Sequence, residues 1–254
     1  MLSDYRALDP SLVAQMRQLK LGPLCDVLPE RLVQARAKGM DPADFLAVIF
    51  GDEVDRRRSN AASLRAAKAG LAPDMVLDQW DRHTQAQHDR ALLDELTTLK
   101  FLDRHEHVNI MGPVGVGKTM IAHGLGHIAS QRRHSVALYD SCKLFAQLKV
   151  GRVDGTHLAT MRLLVSVDLL IVDDFALHPL DAAATVDFAE VVKERHRKRS
   201  IILTSNRDPS EWLSMMSEPL LAQSAVDRFS NAAHDLILDG PSYRASQKPR
   251  RASS

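Results

Sequence analysis

The sequence has few cysteines, few aromatic residues and no long uninterrupted apolar run. Its 2 cysteines, Cys25 and Cys142, match no metal or redox spacing, which favours a reducing compartment over a disulfide framework. Aspartates interrupt the apolar stretch from Leu163 to Leu177, so it cannot span a bilayer. The first twenty residues carry charges and no apolar signal-peptide core. We therefore expect a cytoplasmic protein that makes no membrane contact.

Charge of either sign is nearly balanced over the chain but uneven along it. The formal net charge of the 254 residues is +1. Basic residues nevertheless cluster at Arg56 to Arg58, at Arg132 and Arg133, at Lys193 to Arg199 and at Lys248 to Arg251. Such runs usually form solvated surface, and they also suit an anionic partner. We take Arg56 to Arg58 and Lys193 to Arg199 as the candidate contacts for such a partner.

One glycine-rich stretch predicts a phosphate-binding loop between a strand and a helix. It consists of Gly112, Pro113, Val114, Gly115, Val116, Gly117, Lys118 and Thr119. Glycines let backbone N–H groups converge on a phosphate, and the helix that follows adds the positive end of its dipole. Lys118 would reach the β- and γ-phosphates, and the Thr119 hydroxyl would bind Mg²⁺. A glycine-rich turn without function is the alternative. The pattern predicts binding of a nucleoside triphosphate.

A second stretch predicts a buried strand that ends in two carboxylates. Four apolar residues, Leu169 to Val172, fit a strand covered on both faces of a parallel sheet. Asp173 and Asp174 follow at the carboxyl end, where open α/β sheets bind ligands. Asp173 would hold Mg²⁺ through its water shell, and Asp174 would orient or deprotonate the attacking water. Two acidic residues that merely cap the strand are the alternative.

Further patterns set the expected fold and domains. Ser200 to Ser205 predicts another buried strand, after which Asn206 would either bond a water or γ-phosphate or cap the turn. The first seventy residues have helical periodicity and no strand-like alternation. A loop is expected at residues 150–155. We expect an α/β protein with a helical domain over 1–72, an ATPase domain over 73–240 and a basic tail over 241–254.

Taken together, these motifs resemble the IstB-type ATPases. Those proteins are AAA+ helper subunits of two-gene insertion sequences and relatives of the DnaC helicase loader. The resemblance rests on the order of five motifs: the loop Gly112 to Thr119, Asp173-Asp174-Phe175, Leu203 to Arg207 with Trp212, Asp227-Arg228-Phe229, and Gly240 to Arg244.

The resemblance implies a fold and further site residues. The fold would be a P-loop AAA+ parallel sheet with helices on both faces, preceded by a small helical domain. Asn206 would be the sensor of the γ-phosphate, and Arg228 the arginine finger that reaches a neighbouring subunit's ATP. Arg228 could instead pair with Asp227 or another acid, and Arg244 is a further candidate phosphate contact.

Two departures from the wider AAA+ pattern bear on activity. Asp174 stands where most members have glutamate, which shortens the reach to water and predicts slow hydrolysis or a need for a partner. The chain after Arg228 is too short for the helical lid domain that usually covers the nucleotide. IstB and DnaC relatives share both traits, so the two departures agree with the resemblance.

The expected function is that of an oligomeric ATPase with ATP sites between subunits. It would assemble on double-stranded DNA through phosphate contacts and help a partner transposase. The main alternative is a DnaC-like helicase loader. Two other readings are a small-molecule kinase, for which an acceptor pocket and a lid are missing from the pattern, and a nucleotide-gated module that does not hydrolyse ATP.

Overall fold

The computed structural model describes residues 8–80 and 86–242. The helices α1 to α11 span Pro10–Gln18, Leu24–Ala37, Pro42–Lys68, Arg90–Thr97, Lys100–Asp103, Lys118–Gln131, Ser141–Asp154, His157–Ser166, Ala182–Arg195, Pro209–Trp212 and Pro219–Ser230. The strands β1 to β5 span His107–Met111, Val136–Asp140, Leu169–Asp173, Ser200–Ser205 and Ala233–Ile237. Short 3₁₀ turns lie at Leu77–Gln79 and Leu213–Met215.

The chain forms two compact units, Met1–Ala61 and Ala62–Ser254. The division falls inside α3, whereas the sequence pattern placed a boundary at residue 72, in the loop beyond this helix. In the second unit, Ala66 and Ala69 at the end of α3 are buried with the core under the sheet. Helical periodicity continues through Gly51, so the sequence gives no local sign of a division within the helix.

The first unit is helical in its described part, as expected. Met16, Leu24, Leu28 and Ile49 form its small buried cluster. Both Asp-Pro pairs begin helices, because each aspartate caps the first turn. The Asp9 carboxylate accepts from Ser11 N–H at 2.7 Å, and that of Asp41 from Ala43 N–H at 2.8 Å.

The second unit is built on a five-stranded parallel sheet of order β2-β3-β4-β1-β5. Insertion of β4 between β1 and β3 brings together the carboxyl ends of three strands that carry predicted site residues. Met111 at the end of β1 is in register with Ser205 of β4, and Val172 of β3 with Leu203. Ligands of open parallel sheets bind at this edge.

Both faces of the sheet are covered, which explains the continuous apolar runs. Along β3, Leu169 and Ile171 face the core that contains α4 and α6, while Leu170 and Val172 face the core of α7, α8, α9 and α11. A side chain of this size contributes about 1.5–3 kcal/mol when fully buried. The inner strands need two apolar faces because helices pack on both.

Polar side chains tie the amino ends of the strands together. Arg195 at the end of α9 is fully buried, and its guanidinium donates to the carbonyls of Leu164, Val167, Asp168 and Ser200. The expected basic surface from Lys193 to Arg199 therefore excludes Arg195. Its neighbours Lys193, Arg197 and Lys198 are exposed.

One local prediction was wrong. The expected loop at residues 150–155 is helical as far as Asp154, and α7 ends on Gly155 with φ of 82°. Gly151 lies within α7, where a Cβ would come within 2.8 Å of the His157 backbone nitrogen. Glycine therefore serves close helix packing at this position instead of a turn.

Among the described residues, none of the helices has the length and apolar character needed to cross a membrane.

Candidate nucleotide-binding site

The loop between β1 and α6 has the conformation that its glycines predict. The φ angles of Gly112, Gly115 and Gly117 are 146°, 86° and 108°, a region that other residues rarely enter. Space is also limiting, since a Cβ on Gly112 would lie 2.1 Å from the carbonyl oxygen of Leu238. The loop therefore requires glycine for its conformation and for its contact with the chain after β5.

The amino terminus of α6 opens directly out of this loop. Gly117 occupies the cap position and offers no side chain to the first amides of the helix, which begins at Lys118. A helix end without a side-chain cap needs other acceptors for those amides, and an anion is a suitable one. The geometry is that of a phosphate cradle.

Lys118 is held at the loop and is 6% exposed. Its Nζ donates to the carbonyls of Gly112 and Pro113 at 2.7 and 2.8 Å. The flexible lysine stem can turn the ammonium from these carbonyls to a phosphate without moving the loop. A cation therefore lies where the loop would receive a triphosphate.

Asp173 lies beside the P-loop, as the sequence predicted. The Thr119 hydroxyl donates to Asp173 Oδ1 at 3.1 Å, and the Thr204 hydroxyl donates to the same oxygen. Hydroxyl and carboxylate oxygens are ligands that Mg²⁺ accepts. In the described chain no group of three or more His, Cys, Asp or Glu could hold a metal. A Mg²⁺ ion here would complete its coordination shell with phosphate and water oxygens, as Mg²⁺ usually does in proteins.

Asp174 follows in a strained conformation. Its φ is 54°, in the left-handed region, which costs about 1–2 kcal/mol for a residue with a Cβ. Two hydrogen bonds to Thr204 hold the chain there: Asp174 N–H donates to the hydroxyl at 2.9 Å, and Phe175 N–H to the carbonyl at 2.8 Å. The strain turns the chain sharply at the end of β3, next to Asp173.

Thr204 is a site residue that the sequence did not reveal. It fixes both aspartates, yet a threonine after Ile201, Ile202 and Leu203 looks like an ordinary strand residue. Only the pairing of β3 with β4 shows its role.

Asn206 is exposed immediately after β4. The preceding residue, Ser205, accepts a hydrogen bond from Gly112 N–H at 3.3 Å, which joins the end of β4 to the start of the P-loop. Asn206 thus comes at the same edge as the predicted phosphate site.

Arg228 lies on α11, away from the P-loop helix. Phe229 and Val226 of α11 pack in the core on one face of the sheet, and α6 packs on the other face. The Arg228 side chain is exposed and donates to Ser224 Oγ at 2.6 Å. The Asp227 carboxylate accepts from Asn231 instead, at 2.9 Å.

Arg244 lies outside the described residues, as does most of the tail expected over 241–254. Ser242 is described, and its Oγ lies 2.2 Å from the place where a Cβ on Gly115 would be. Ser242 therefore lies against the P-loop.

Trp80 closes another side of the loop. Its ring is 4% exposed, and Nε1 lies 3.0 Å from the position of a Cβ on Gly117. The Nε1 proton has no hydrogen-bond acceptor among the described residues. Trp80 belongs to none of the sequence motifs, so this contact was not predicted.

Cys142 lies near Asp140 and Asp174 and is not activated as a nucleophile. Burial and then the carboxylates of Asp140 and Asp174 raise the pKa of its thiol. A protonated thiol is a poor nucleophile, so the chemistry of this edge is that of carboxylates, hydroxyls and an ammonium.

Comparison with known proteins yields one family. Residues 14–251 match the family described as IstB-like ATP binding protein. An insertion-sequence ATP-binding protein of Mycobacterium tuberculosis is 34% identical over 247 residues, covering 97% of this chain and 98% of the relative. One from Sinorhizobium fredii is 33% identical over 236 residues, covering 92% and 96%.

Solved structures agree with this fold. DnaI superposes with a TM-score of 0.58 at 17% identity, over 66% of this chain and 94% of that one. The DnaC helicase loader gives 0.53 at 18% identity, over 65% and 97%. AMPPCP-bound DnaA from Aquifex aeolicus gives 0.55 at 22% identity, over 65% and 51%. The expected AAA+ sheet with helices on both faces is confirmed, and after Arg228 the described chain adds only the end of α11, β5 and a short segment.

The chain belongs to the IstB-like ATP-binding family.

Proposed function

We propose that this protein binds ATP with Mg²⁺ and hydrolyses it at the carboxyl edge of the sheet. The observation that carries the proposal is the convergence of Lys118, Thr119 and Asp173 at the end of β1 and β3, joined by hydrogen bonds to Thr204 and the loop. Loop amides and Lys118 would bind the β- and γ-phosphates, and Thr119 and Asp173 would bind the metal and its water. Mg²⁺ would neutralise charge that develops on the phosphates.

Within this site, Asp174 and Asn206 would handle the attacking water. The bond between Asp174 N–H and Thr204 fixes the backbone of the carboxylate that would orient or deprotonate it. Asn206 would bond the water or the γ-phosphate from the neighbouring strand. Aspartate is one methylene shorter than glutamate, so we expect slow turnover that a partner or DNA accelerates.

The site would be completed by another subunit. Arg228 is exposed on α11, on the opposite face of the sheet from α6. This position supports action on a neighbour's nucleotide, and it supports an assembly with ATP between subunits. An arginine supplied in this way stabilises charge on the transferred phosphoryl group.

Double-stranded DNA and a transposase are the partners we infer. The relatives are named as ATP-binding proteins of insertion sequences, which supports a role in DNA transposition. DnaI and DnaC share the fold, so loading of a helicase is the second candidate. The exposed side chains of Lys193, Arg197 and Lys198 are the candidates for phosphate contacts.

In the other basic run, two arginines have partners within the first unit. Arg56 and Arg57 bond Glu53 at 2.7 and 2.6 Å, and the two arginines lower the pKa of that carboxyl to about 2. Arg58 is the more exposed member of the run. We therefore rank the run from Arg56 to Arg58 below Lys193 and Arg197 as a DNA contact. Lys198 also has a partner, since its ammonium pairs with Glu194 at 3.4 Å.

Substitution of Lys118 tests the nucleotide site. Lys118→Ala should weaken ATP binding by about 100-fold or more, because the phosphates lose their cationic ligand. Lys149→Ala, an exposed lysine of α7, is the matched control. Direct nucleotide titration should show a much lower ATP affinity for Lys118→Ala than for Lys149→Ala. Equal affinities would contradict the assignment of the nucleotide site.

DNA and partner dependence need a separate measurement. Phosphate release should rise when duplex DNA is added, and the rise should vanish steeply with salt and depend little on sequence. Release that ignores DNA, or that responds only to a replicative helicase, would count against the transposition role while leaving the ATP site intact.

A further inference from the structure

A groove of about 600 Å³ lies along the outer side of β2, on the side that faces away from β3. The end of α3 forms one wall, with Arg65 and Lys68. Leu163 of α8 and Val167, the residue after this helix, form the other. Val136 and its neighbours in β2 form the floor. In the sheet order, β3 and β4 separate β2 from β1, which leads to the P-loop. The groove therefore has no lining residue in common with the ATP site.

The floor of the groove offers main-chain groups at the edge of the sheet. Leu169 N–H of β3 donates to Ser135 O, so the main-chain groups of Ser135 face β3 and those of Val136 and Leu138 face outward. Leu138 N–H already donates to Ala69 O at 2.8 Å. Val136 lies one pleat earlier, and no strand pairs with this side of β2 in residues 8–80 and 86–242. One end of the edge can thus accept an added strand.

Charge in the groove has one sign. Arg65 and Lys68 line it, and the described lining contains no aspartate or glutamate. Asp168, whose carboxylate accepts from the lining residue Ser135, is paired with Arg199 at 2.7 Å. Arg65 Nε donates to Ser130 O at 2.9 Å, which fixes the guanidinium at the wall. A concave surface with cations and no carboxylate favours an anionic occupant.

The apolar surface of the groove favours a protein occupant over a nucleic acid. Leu163 is 45% exposed, although Met161 and Leu164 of the same helix are buried. Val136, Val167 and Tyr139 add further carbon surface to the lining. A phosphate backbone would leave this surface uncovered, whereas a peptide covers it with one apolar side chain.

We propose that this groove docks an extended acidic segment of a partner protein. The segment pairs its main chain with Val136, places an apolar side chain on Leu163 and Val167, and sets carboxylates beside Lys68 and Arg65. Main-chain pairing supplies affinity, and the side-chain contacts supply specificity. Docking here leaves ATP binding intact, so the two properties can be lost separately.

A random peptide library tests the proposal with the full chain. Peptides of about twelve residues are displayed and selected on the wild-type protein, and sequences that also bind the double variant Lys68→Glu, Leu163→Glu are removed. We expect enriched sequences that combine acidic residues with an apolar residue. No enrichment, or enrichment of basic sequences, would overturn the proposal.

Single substitutions then locate the binding of a synthetic enriched peptide. Lys68→Glu and Leu163→Glu should each weaken it about tenfold or more, a loss of about 1.4 kcal/mol. Lys38→Glu, at the residue after α2, and Leu158→Glu, on the same helix as Leu163, are exposed controls that should keep wild-type affinity. Equal losses in controls and groove variants would place the peptide elsewhere.

Two more measurements exclude other occupants. Methylation of one central backbone amide of the peptide should weaken binding about tenfold, because a paired N–H is lost. Unchanged affinity on methylation at each central amide in turn contradicts strand addition. If duplex DNA competes with the peptide, the groove binds DNA and the proposal is wrong. If the wild-type chain self-associates and the groove variants do not, the groove binds a second copy and the proposal is wrong as well. Phosphate release should remain at the wild-type rate in Lys68→Glu, whatever the fate of the ATPase proposal.

Discussion

The two edges of the parallel sheet use polar residues in opposite ways. At the amino edge, Arg195 is buried and donates to five backbone carbonyls. At the carboxyl edge, Asp174 is held at a left-handed φ and Asn206 is exposed. Both edges belong to the same strands and rest on the same apolar cores.

This contrast separates stability from chemistry along one strand. At the amino edge, the arginine donates to carbonyls that would otherwise be buried without donors. Each buried carbonyl left without a donor costs about 1–3 kcal/mol. The carboxyl edge spends stability on strain at Asp174 and gathers an ammonium, carboxylates and hydroxyls beside the P-loop. Substitutions at the two edges should therefore fail in different assays.

The largest expected effect concerns Arg228. Arg228→Ala should bind ATP nearly normally but hydrolyse it on the order of 10³ to 10⁵ more slowly, because transition-state charge loses its neighbouring cation. Phosphate release from the assembled protein measures the rate. Arg162→Ala, at an exposed position of α8, is the control. Arg207, two residues after β4, is less suitable because its side chain is partly buried.

A mixture of inactive subunits sharpens this test. Lys118→Ala and Arg228→Ala proteins should each be inactive, yet their mixture should recover part of the activity where an intact Lys118 site meets an intact Arg228. Co-assembly without recovery would show that Arg228 does not act on a neighbour's ATP.

Asp174→Asn should have the next largest effect. The amide cannot take a proton from water, so hydrolysis should slow by about 10²- to 10⁴-fold while ATP affinity is kept. Asparagine also tolerates the left-handed conformation, which keeps the fold comparable. Unchanged single-turnover hydrolysis would make Asp174 structural and assign the water to another group.

At the amino edge, Arg195→Met should lower the free energy of unfolding by about 3 kcal/mol or more, because several buried carbonyls lose their donor. Urea denaturation measures the loss. Arg195→Lys should lose less, since an ammonium can still donate three hydrogen bonds. ATP affinity below the unfolding transition should stay at the wild-type value, and a large drop would contradict the separation of the two edges.

His107 gives the smallest effect and depends on pH. Burial, followed by the charges of Arg195 and His196, lowers the pKa of this β1 histidine from 6.5 to about 3. Above pH 6.5 both folded and unfolded chains are neutral at this residue, and below it the unfolded chain alone takes the proton. Stability should therefore fall as pH drops from 6.5 towards 3, by about 2 kcal/mol between pH 8 and pH 5.

Comparison with His107→Gln isolates that term. The glutamine carbonyl can replace Nδ1, which accepts from Ile201 N–H at 3.2 Å, but it does not titrate. The free energy of unfolding of this variant should vary less between pH 8 and pH 5. The same slope in both proteins would assign the acid sensitivity to other groups.

Sequence alone predicted the carboxyl edge better than the amino edge. The P-loop and Asp173 follow from local spacing, and parallel strands necessarily bring their ends to one edge. Thr204 could not be found, because its role depends on which strand pairs with β3. Arg195 was read as part of an exposed basic run, since the sequence does not show that carbonyls from α8, β3 and β4 surround it.

Helix ends and the groove show the same limit. Gly151 looked like a loop residue because its contact with His157 arises only when α7 and α8 pack. Likewise, Arg65 and Leu163 are far apart in the chain and become walls of one groove through packing around β2. Local chemistry is readable from neighbours in sequence, and tertiary pairing is not.

The short cover on β2 also bears on aggregation. An exposed strand edge can recruit identical chains and extend into a cross-β fibril. Ala69 O already occupies Leu138 N–H midway along β2, and Gly70 lies against Leu138 O, so another chain has only the outer end of the strand to pair with. A one-pleat docking site is too short to propagate a fibril. The hydrogen bond from Leu138 to Ala69 thus limits the pairing of this strand edge with another copy of the chain.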